Sequence, residues 1–160
     1  MGERKMMINF YIQKRPRDQD IIEALAEAGL DVSNVIIDCY EREDNMSGLE
    51  VSFVDDFDDK TNSFKRAYVV QIKNGVWIDD GVEHDNSKIE GFFAKSLAHK
   101  SGLPVLVFTR EDFDNVYDVL DKYEPDGTKT YVELDEETDE IIKEAKSLPP
   151  HCPGAPLALP

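Results

Sequence analysis

The sequence predicts an α+β fold, a single domain whose mixed sheet contains an antiparallel meander and is flanked by about four helices. Segments that alternate apolar and polar residues, as half-buried strands do, are interspersed with segments whose apolar residues recur at helical spacing. The 160 residues, 41% of them hydrophobic, suffice for one core. We therefore expect one domain over residues 1–148, followed by a proline-rich tail over residues 149–160.

The first predicted elements are a strand and a helix. Residues 7–13 alternate apolar and polar side chains, and Pro16 ends the strand. Asp18 is placed to cap a helix that runs to Gly29, because the apolar residues between them recur every three or four positions.

A four-stranded antiparallel meander is predicted next. Three of its strands have β-branched or alternating sequences, at residues 35–40, 49–53 and 64–73. Asn74 and Gly75 are the preferred pair for a tight hairpin turn, so the third strand should fold back onto a fourth at residues 76–79.

Two helices and a strand are predicted after the meander. Ser87 and Glu90 have the spacing of a capping box, which favours a helix up to Gly102. The apolar run at residues 104–109 predicts a buried strand, and a second cap pattern after it predicts a third helix through Leu120.

A last strand and a fourth helix are predicted before the tail. Residues 130–134 alternate as a short strand does, after which Asp135 can cap a helix with Ile141 and Ala145 on its apolar face. The tail has five prolines, which end this helix and keep the tail out of any sheet interior.

The chain is strongly acidic. Its 34 aspartates and glutamates outnumber 18 lysines and arginines, for a net charge of −16 at pH 7. Such a charge repels phosphate backbones and anionic lipid, so we expect neither direct nucleic-acid binding nor membrane binding. The absence of a long apolar run and of a signal-peptide pattern favours a cytoplasmic protein. Cys39 and Cys152 are expected to be free thiols.

The familiar catalytic patterns are missing from the sequence. It has no glycine-rich phosphate loop, no Gly-x-Ser-x-Gly turn and no pair of histidines spaced to bind one metal ion. Cys39 beside His84 or His99 is a conceivable nucleophile and base, but a cysteine in an apolar strand is more often a small core residue. We therefore expect a protein that is not an enzyme and needs no cofactor.

A weaker candidate is a metal site at Asp79, Asp80, Glu83 and Asp85. Hard divalent cations prefer oxygen ligands, and these carboxylates form the densest group beside a predicted turn. Their spacing matches no EF-hand loop, however, and clusters of acids arise by composition in a chain this acidic. A solvated acidic loop is therefore the favoured interpretation.

The acids are concentrated in two regions. Eight lie between residues 41 and 60 against Arg42 and Lys60, and fourteen lie between residues 111 and 146 against four lysines. The first seventeen residues instead carry a balance of +4, so we expect a bipolar surface. Separated charge of this kind speeds the encounter with a partner of opposite field.

These features favour a protein-binding function. In size, acidity and lack of a catalytic motif the chain resembles bacterial immunity proteins, which block their cognate toxins; the resemblance is one of type rather than of particular residues. We therefore predict an immunity or inhibitor protein that neutralises a basic partner such as a toxin or nuclease domain. The expected contacts are a loop of aspartates and one edge of the third helix: Asp55, Asp56, Asp58, Asp59, Asp114, Asp118 and Asp121.

Two alternatives stay open. One is a small enzyme or divalent-metal-binding domain that uses the carboxylates between Asp79 and Asp85. The other is an adaptor domain that presents the proline-rich tail as an extended ligand for a groove in another protein.

Overall fold

A computed structural model describes residues 7–37, 47–54, 63–73, 76–77, 87–108 and 119–146. These residues form an α+β fold, as predicted, with nine strands and two helices. In chain order the elements are β1 (Met7–Ile12), α1 (Asp18–Glu27), β2 (Ile36–Ile37), β3 (Ser47–Phe53), β4 (Lys65–Lys73), β5 (Val76–Trp77), α2 (Ser87–Ser101), β6 (Val105–Phe108), β7 (Leu120–Tyr123), β8 (Lys129–Leu134) and β9 (Ile141–Ala145).

All nine strands of the described residues belong to one mixed sheet. Its order is β2-β3-β4-β1-β6-β7-β8-β9, and β5 pairs with the end of β4. The pairings are antiparallel except that of β2 with β3, which is parallel. Strand β1 therefore lies inside the sheet, where Phe10 is paired with Ala67 on one side and with Val107 on the other.

The main core lies between the sheet and the two helices. Both helices contribute to it, and α2 packs on β6 as well as on α1. Phe10 of β1 and Phe93 of α2 are fully buried and meet edge to face, with ring centroids 5.1 Å apart. Leu97, one turn further along α2, is also fully buried. These residues alternate along the strands and recur every three or four positions along the helices, which is why the sequence identifies them as core.

A second, smaller apolar cluster covers part of the opposite face of the sheet. Its buried members are Phe64, Leu106, Leu120 and Val132, with Tyr11, Phe108, Leu134 and Ile141 packed against them. The two faces are populated by alternate residues of the same strands, so Val107 faces the helices and its neighbours Leu106 and Phe108 face away from them.

The ends of the helices agree only in part with those predicted from the sequence. Arg17 precedes α1 without a side-chain capping hydrogen bond, and Asp18 is the first helical residue, where its negative charge favours the helix dipole. Gly29 has a φ of +92°, the left-handed conformation that ends a helix. The second helix is confirmed at Ser87–Ser101. It is the longer of the two described helices, and neither is long and apolar enough to cross a membrane.

The predicted four-strand antiparallel meander is wrong, because its first strand pairs in parallel. The later strands are antiparallel neighbours, β3 with β4 and β4 with β5, and Asn74 and Gly75 lie outside the described residues. The segment predicted at residues 35–40 is a strand only at Ile36–Ile37 within the described part, and it pairs with β3 in parallel. Alternation indicates which face a side chain occupies, but it carries no information on the direction of the neighbouring strand.

The prediction of about four helices is wrong. In place of the fourth helix, Asp135 opens a turn and Ile141–Ala145 forms β9, paired with β8. Leu120, expected at the end of the third helix, begins β7, while residues 111–118 lie outside the described part. In helix caps and in turns alike, an aspartate carboxylate accepts hydrogen bonds from the backbone N–H groups two and three residues later in the chain. The local sequence therefore does not distinguish a helix cap from a turn.

Candidate functional site

A pocket of about 340 Å³ lies on the sheet face opposite the helices. One side is apolar and is formed by Tyr11, Phe108, Leu120 and Leu134. The other side is acidic and is formed by Glu133, Asp135, Glu136 and Asp139, which belong to the end of β8 and to the turn that joins it to β9. Its volume is at the lower end of the range for ligand sites, about 300 to 1,000 Å³.

The apolar side is assembled by the order of the strands. Tyr11 of β1 is paired with Leu106, and Phe108 of β6 is paired with Leu120 of β7, so these residues share one face of the sheet. The rings of Tyr11 and Phe108 meet edge to face, with centroids 6.2 Å apart and an interplanar angle of 82°. The pocket therefore has an aromatic and aliphatic wall built on four neighbouring strands, β1, β6, β7 and β8.

The acidic side is a turn with its own hydrogen bonds. The N–H of Asp135 donates to the carbonyl of Glu140 at 2.8 Å, and the N–H of Asp139 donates to the carbonyl of Asp135 at 2.9 Å. One carboxylate oxygen of Asp135 accepts the N–H groups of Glu137 and Thr138, at 2.8 and 3.0 Å. These bonds order the turn without help from a ligand.

The carboxylate of Asp135 stays charged over a wide range of pH. The backbone hydrogen bonds from Thr138 and Glu137 lower its pKa below the usual aspartate value, because they stabilise the ionised form. Residues 133–140 contain six acids and no lysine or arginine. The turn therefore carries a dense negative charge beside the apolar wall.

Other acids on or next to β7, β8 and β9 are paired with lysines. The ammonium group of Lys122 lies 3.0 Å from Glu124 and 3.3 Å from Glu144. Burial disfavours the charged form of Lys122, but these two carboxylates outweigh that effect and raise its pKa. A lysine also pairs with Glu133, where Lys143 lies 3.9 Å away.

The turn acids differ from these paired acids. Within the described ranges, no lysine or arginine forms an ion pair with Asp135, Glu136 or Asp139. A carboxylate without a nearby counter-charge interacts favourably with any cation that approaches it. The pocket thus combines an apolar wall with negative charge that the described residues leave unneutralised.

Of the predicted contact residues, Asp121 alone lies in the described part of the chain. It belongs to β7 rather than to a helix, and it is paired with Val107, which faces the helix-side core. Its side chain is 10% exposed and its carboxylate lies 3.6 Å from Lys129. The expected position of Asp121 on the edge of a helix is therefore wrong, because strand pairing turns this residue towards the inside.

The remaining predicted residues lie outside the described part. These are the proposed contacts Asp55, Asp56, Asp58, Asp59, Asp114 and Asp118 and the weak metal candidates Asp79, Asp80, Glu83 and Asp85. Among the residues that the structure does describe, no three histidine, cysteine, aspartate or glutamate side chains converge to hold a metal ion. His99 is exposed, and its Nδ1 lies 3.2 Å from the carbonyl oxygen of Pro125.

Sequence reasoning missed the pocket. The acids of residues 133–140 belong to the acidic region at residues 111–146. A helix after Asp135, as the sequence predicts, would distribute them around the helix axis rather than gather them in one turn. A density of six acids in eight residues, directly after an alternating strand, was the available signal. The proximity of Tyr11 to Phe108 had no such signal, because it depends on β1 and β6 being neighbours in the sheet.

Comparison with protein-family models, with curated proteins and with solved structures found no match to this chain.

Proposed function

We propose that this protein is a noncatalytic, acidic protein-binding domain, a bacterial cytoplasmic immunity or inhibitor protein that neutralises a cationic toxin or a nucleic-acid-acting enzyme. The observation that carries the proposal is the turn between β8 and β9, where carboxylates without described counter-charges border an apolar wall. A basic protein supplies those counter-charges, and its apolar groups can cover Phe108 and Leu134. Charge complementarity speeds such an encounter, and the apolar contact contributes to its affinity.

The order within the turn supports this role. The Asp135 carboxylate accepts hydrogen bonds from the backbone N–H groups of Glu137 and Thr138. The turn that carries the acidic residues is therefore already ordered before a partner binds. Binding to such a surface loses little conformational freedom, and more of the interaction energy therefore appears as affinity. The net charge of −16 adds a long-range attraction for a basic protein.

The aspartates predicted from the sequence remain part of the proposal. Asp55, Asp56, Asp58 and Asp59 provide a second acidic segment, and Asp114 and Asp118 a third. Asp121 is only 10% exposed and is paired with Lys129, so we leave it out of the proposed direct contacts.

The test begins with the partner itself. Affinity capture from the native host and mass spectrometry identify it, and it is then purified for measurements of association rate. The wild type is compared with the triple variant Glu136→Gln, Glu137→Gln and Glu140→Gln, which leaves the structural Asp135 in place. We expect the on-rate to fall by about tenfold or more at low salt, with a smaller difference at physiological salt because screening weakens steering.

A matched control removes the same charge from the helix side of the molecule. Asp18, Glu23 and Glu27 have side chains 61%, 45% and 56% exposed, and they are changed to Asn, Gln and Gln. This control should associate at nearly the wild-type rate. A captured partner that is not basic, or equal on-rates for wild type and both triple variants, would overturn the proposal.

A further inference from the structure

The pocket beside the β8–β9 turn joins an aromatic wall to a row of carboxylates, and we infer that it binds the guanidinium group of an arginine side chain. This inference rests on the proposed function for the origin of the arginine, which the basic partner presents. The reasons are the shape of the guanidinium group, the two sides of the pocket and the lack of described counter-charges.

A guanidinium group has different requirements on its faces and on its edge. Its flat faces are weakly hydrated and stack on aromatic rings, whereas its edge carries five N–H donors arranged to meet carboxylates. The pocket is lined by Tyr11 and Phe108 of the sheet and by Asp135 and Glu136 of the turn, and the two rings meet edge to face. One planar cation can stack on an aromatic ring with its face and donate hydrogen bonds to the carboxylates with its edge.

The aliphatic part of an arginine side chain also has a place. Leu120 and Leu134 line the same pocket, and methylene groups of a long cationic side chain cover apolar surface of this kind. A volume of about 340 Å³ exceeds what one side chain needs, so a flanking residue of the partner can enter with it.

Other ligands fit the two sides less well. A lysine ammonium group is a compact, strongly hydrated charge that gains less from an aromatic face. A divalent metal needs several converging oxygen ligands, and no such group occurs among the described side chains. A neutral apolar ligand would leave the carboxylates of Asp135, Glu136 and Asp139 without a cation.

The experiment uses small probes rather than the partner. Isotope-labelled full-length protein is titrated with N-acetyl-arginine methylamide, with the neutral isostere N-acetyl-citrulline methylamide and with N-acetyl-lysine methylamide, while amide chemical shifts are followed by NMR. We expect saturable shifts at Tyr11, Phe108 and Leu134, with an arginine dissociation constant on the order of 1 mM because the ligand is small. Citrulline should bind about tenfold more weakly or not measurably, and lysine several-fold more weakly.

Two single variants make the test specific. Glu136→Gln removes a carboxylate that lines the pocket, whereas Glu27→Gln removes a 56% exposed carboxylate of α1 on the helix side of the sheet. Arginine binding should weaken several-fold in the first variant and stay near the wild-type value in the second. Citrulline binding as tightly as arginine, equal effects of the two variants, or shifts spread away from the pocket would overturn the inference.

The probes also separate this inference from the proposed function. If a basic partner binds with the expected dependence on the turn charge but arginine does not enter the pocket, the arginine site is refuted and the binding function is not. If arginine binds the pocket with the expected selectivity but no basic partner exists, the site is supported and the proposed function fails.

Discussion

The backbone N–H of Phe64 donates a hydrogen bond of 2.8 Å to the carbonyl oxygen of Asp139. The bond joins the segment that enters β4 to the turn between β8 and β9, on the sheet face away from the helices. Phe64 is buried in the second apolar cluster, so the turn is attached to a fixed part of the molecule. This attachment positions the acidic side of the pocket, and it depends on the backbone of Asp139, whose φ of +57° is left-handed.

The first prediction concerns that backbone conformation. Asp139→Asn should keep the stability within about 0.5 kcal/mol, because asparagine tolerates left-handed φ well. Asp139→Val should destabilise the protein by about 1 to 3 kcal/mol, because a β-branched residue is strained there. Urea denaturation of both variants measures the difference. Equal stabilities for the two would show that Asp139 does not adopt this conformation.

The second prediction is a dependence of stability on pH that comes from Asp135. Its pKa is lowered in the folded state, so its contribution is fully present above the unfolded pKa of about 3.9 and is lost as the pH falls through the lower folded value. Asp135→Asn keeps an acceptor for the turn but does not titrate. Below about pH 4, its unfolding free energy should therefore fall less steeply than that of the wild type.

Thermal and urea unfolding between pH 2 and pH 7 measure this effect, with Asp135→Ala as the control. Alanine removes the acceptor for Glu137 and Thr138, so this variant should be less stable than Asp135→Asn at every pH. Parallel profiles for the wild type and Asp135→Asn would contradict the assigned role of the carboxylate.

The third prediction tests the helix-side core with two residues of α2. Leu97 is fully buried, and Leu97→Ala should cost about 2 to 5 kcal/mol of unfolding free energy, since it removes buried methyl groups and leaves a cavity. Phe92 is 63% exposed, and Phe92→Ala on the same helix should change stability by about 0.5 kcal/mol or less. Similar losses for the two variants would mean that α2 packs with a different face.

The fourth prediction compares the acidic segments of the proposed interface. Reversal of Asp55, Asp56, Asp58 and Asp59 to lysine should slow association with the basic partner strongly and should leave the unfolding free energy nearly unchanged. The effect should weaken with salt, because the Debye length is about 8 Å at physiological ionic strength. Association rates of this variant and of the turn variant at two salt concentrations rank the segments. An unchanged rate for the lysine variant would exclude this acidic segment as a contact.

The local sequence determined the strands and helices whose pattern has one interpretation. The alternation of β1 and β4 and the helical spacing of α2 appear in the structure with nearly the predicted bounds. The buried positions Phe10, Phe93 and Leu97 follow from the same periods. Such patterns are reliable because burial of one face repeats every two residues in a strand and every three or four in a helix.

Tertiary structure decided the rest. Asp135 followed by Ile141 and Ala145 is compatible with a capped helix or with a turn and a strand, and pairing with β8 selects the strand. The same pairing gathers the acids into one turn, while the order of β1, β6 and β7 brings Tyr11 beside Phe108 and Leu120. Local periodicity carries no information on which strands become neighbours, because the hydrogen bonds between strands join segments that are distant in the chain.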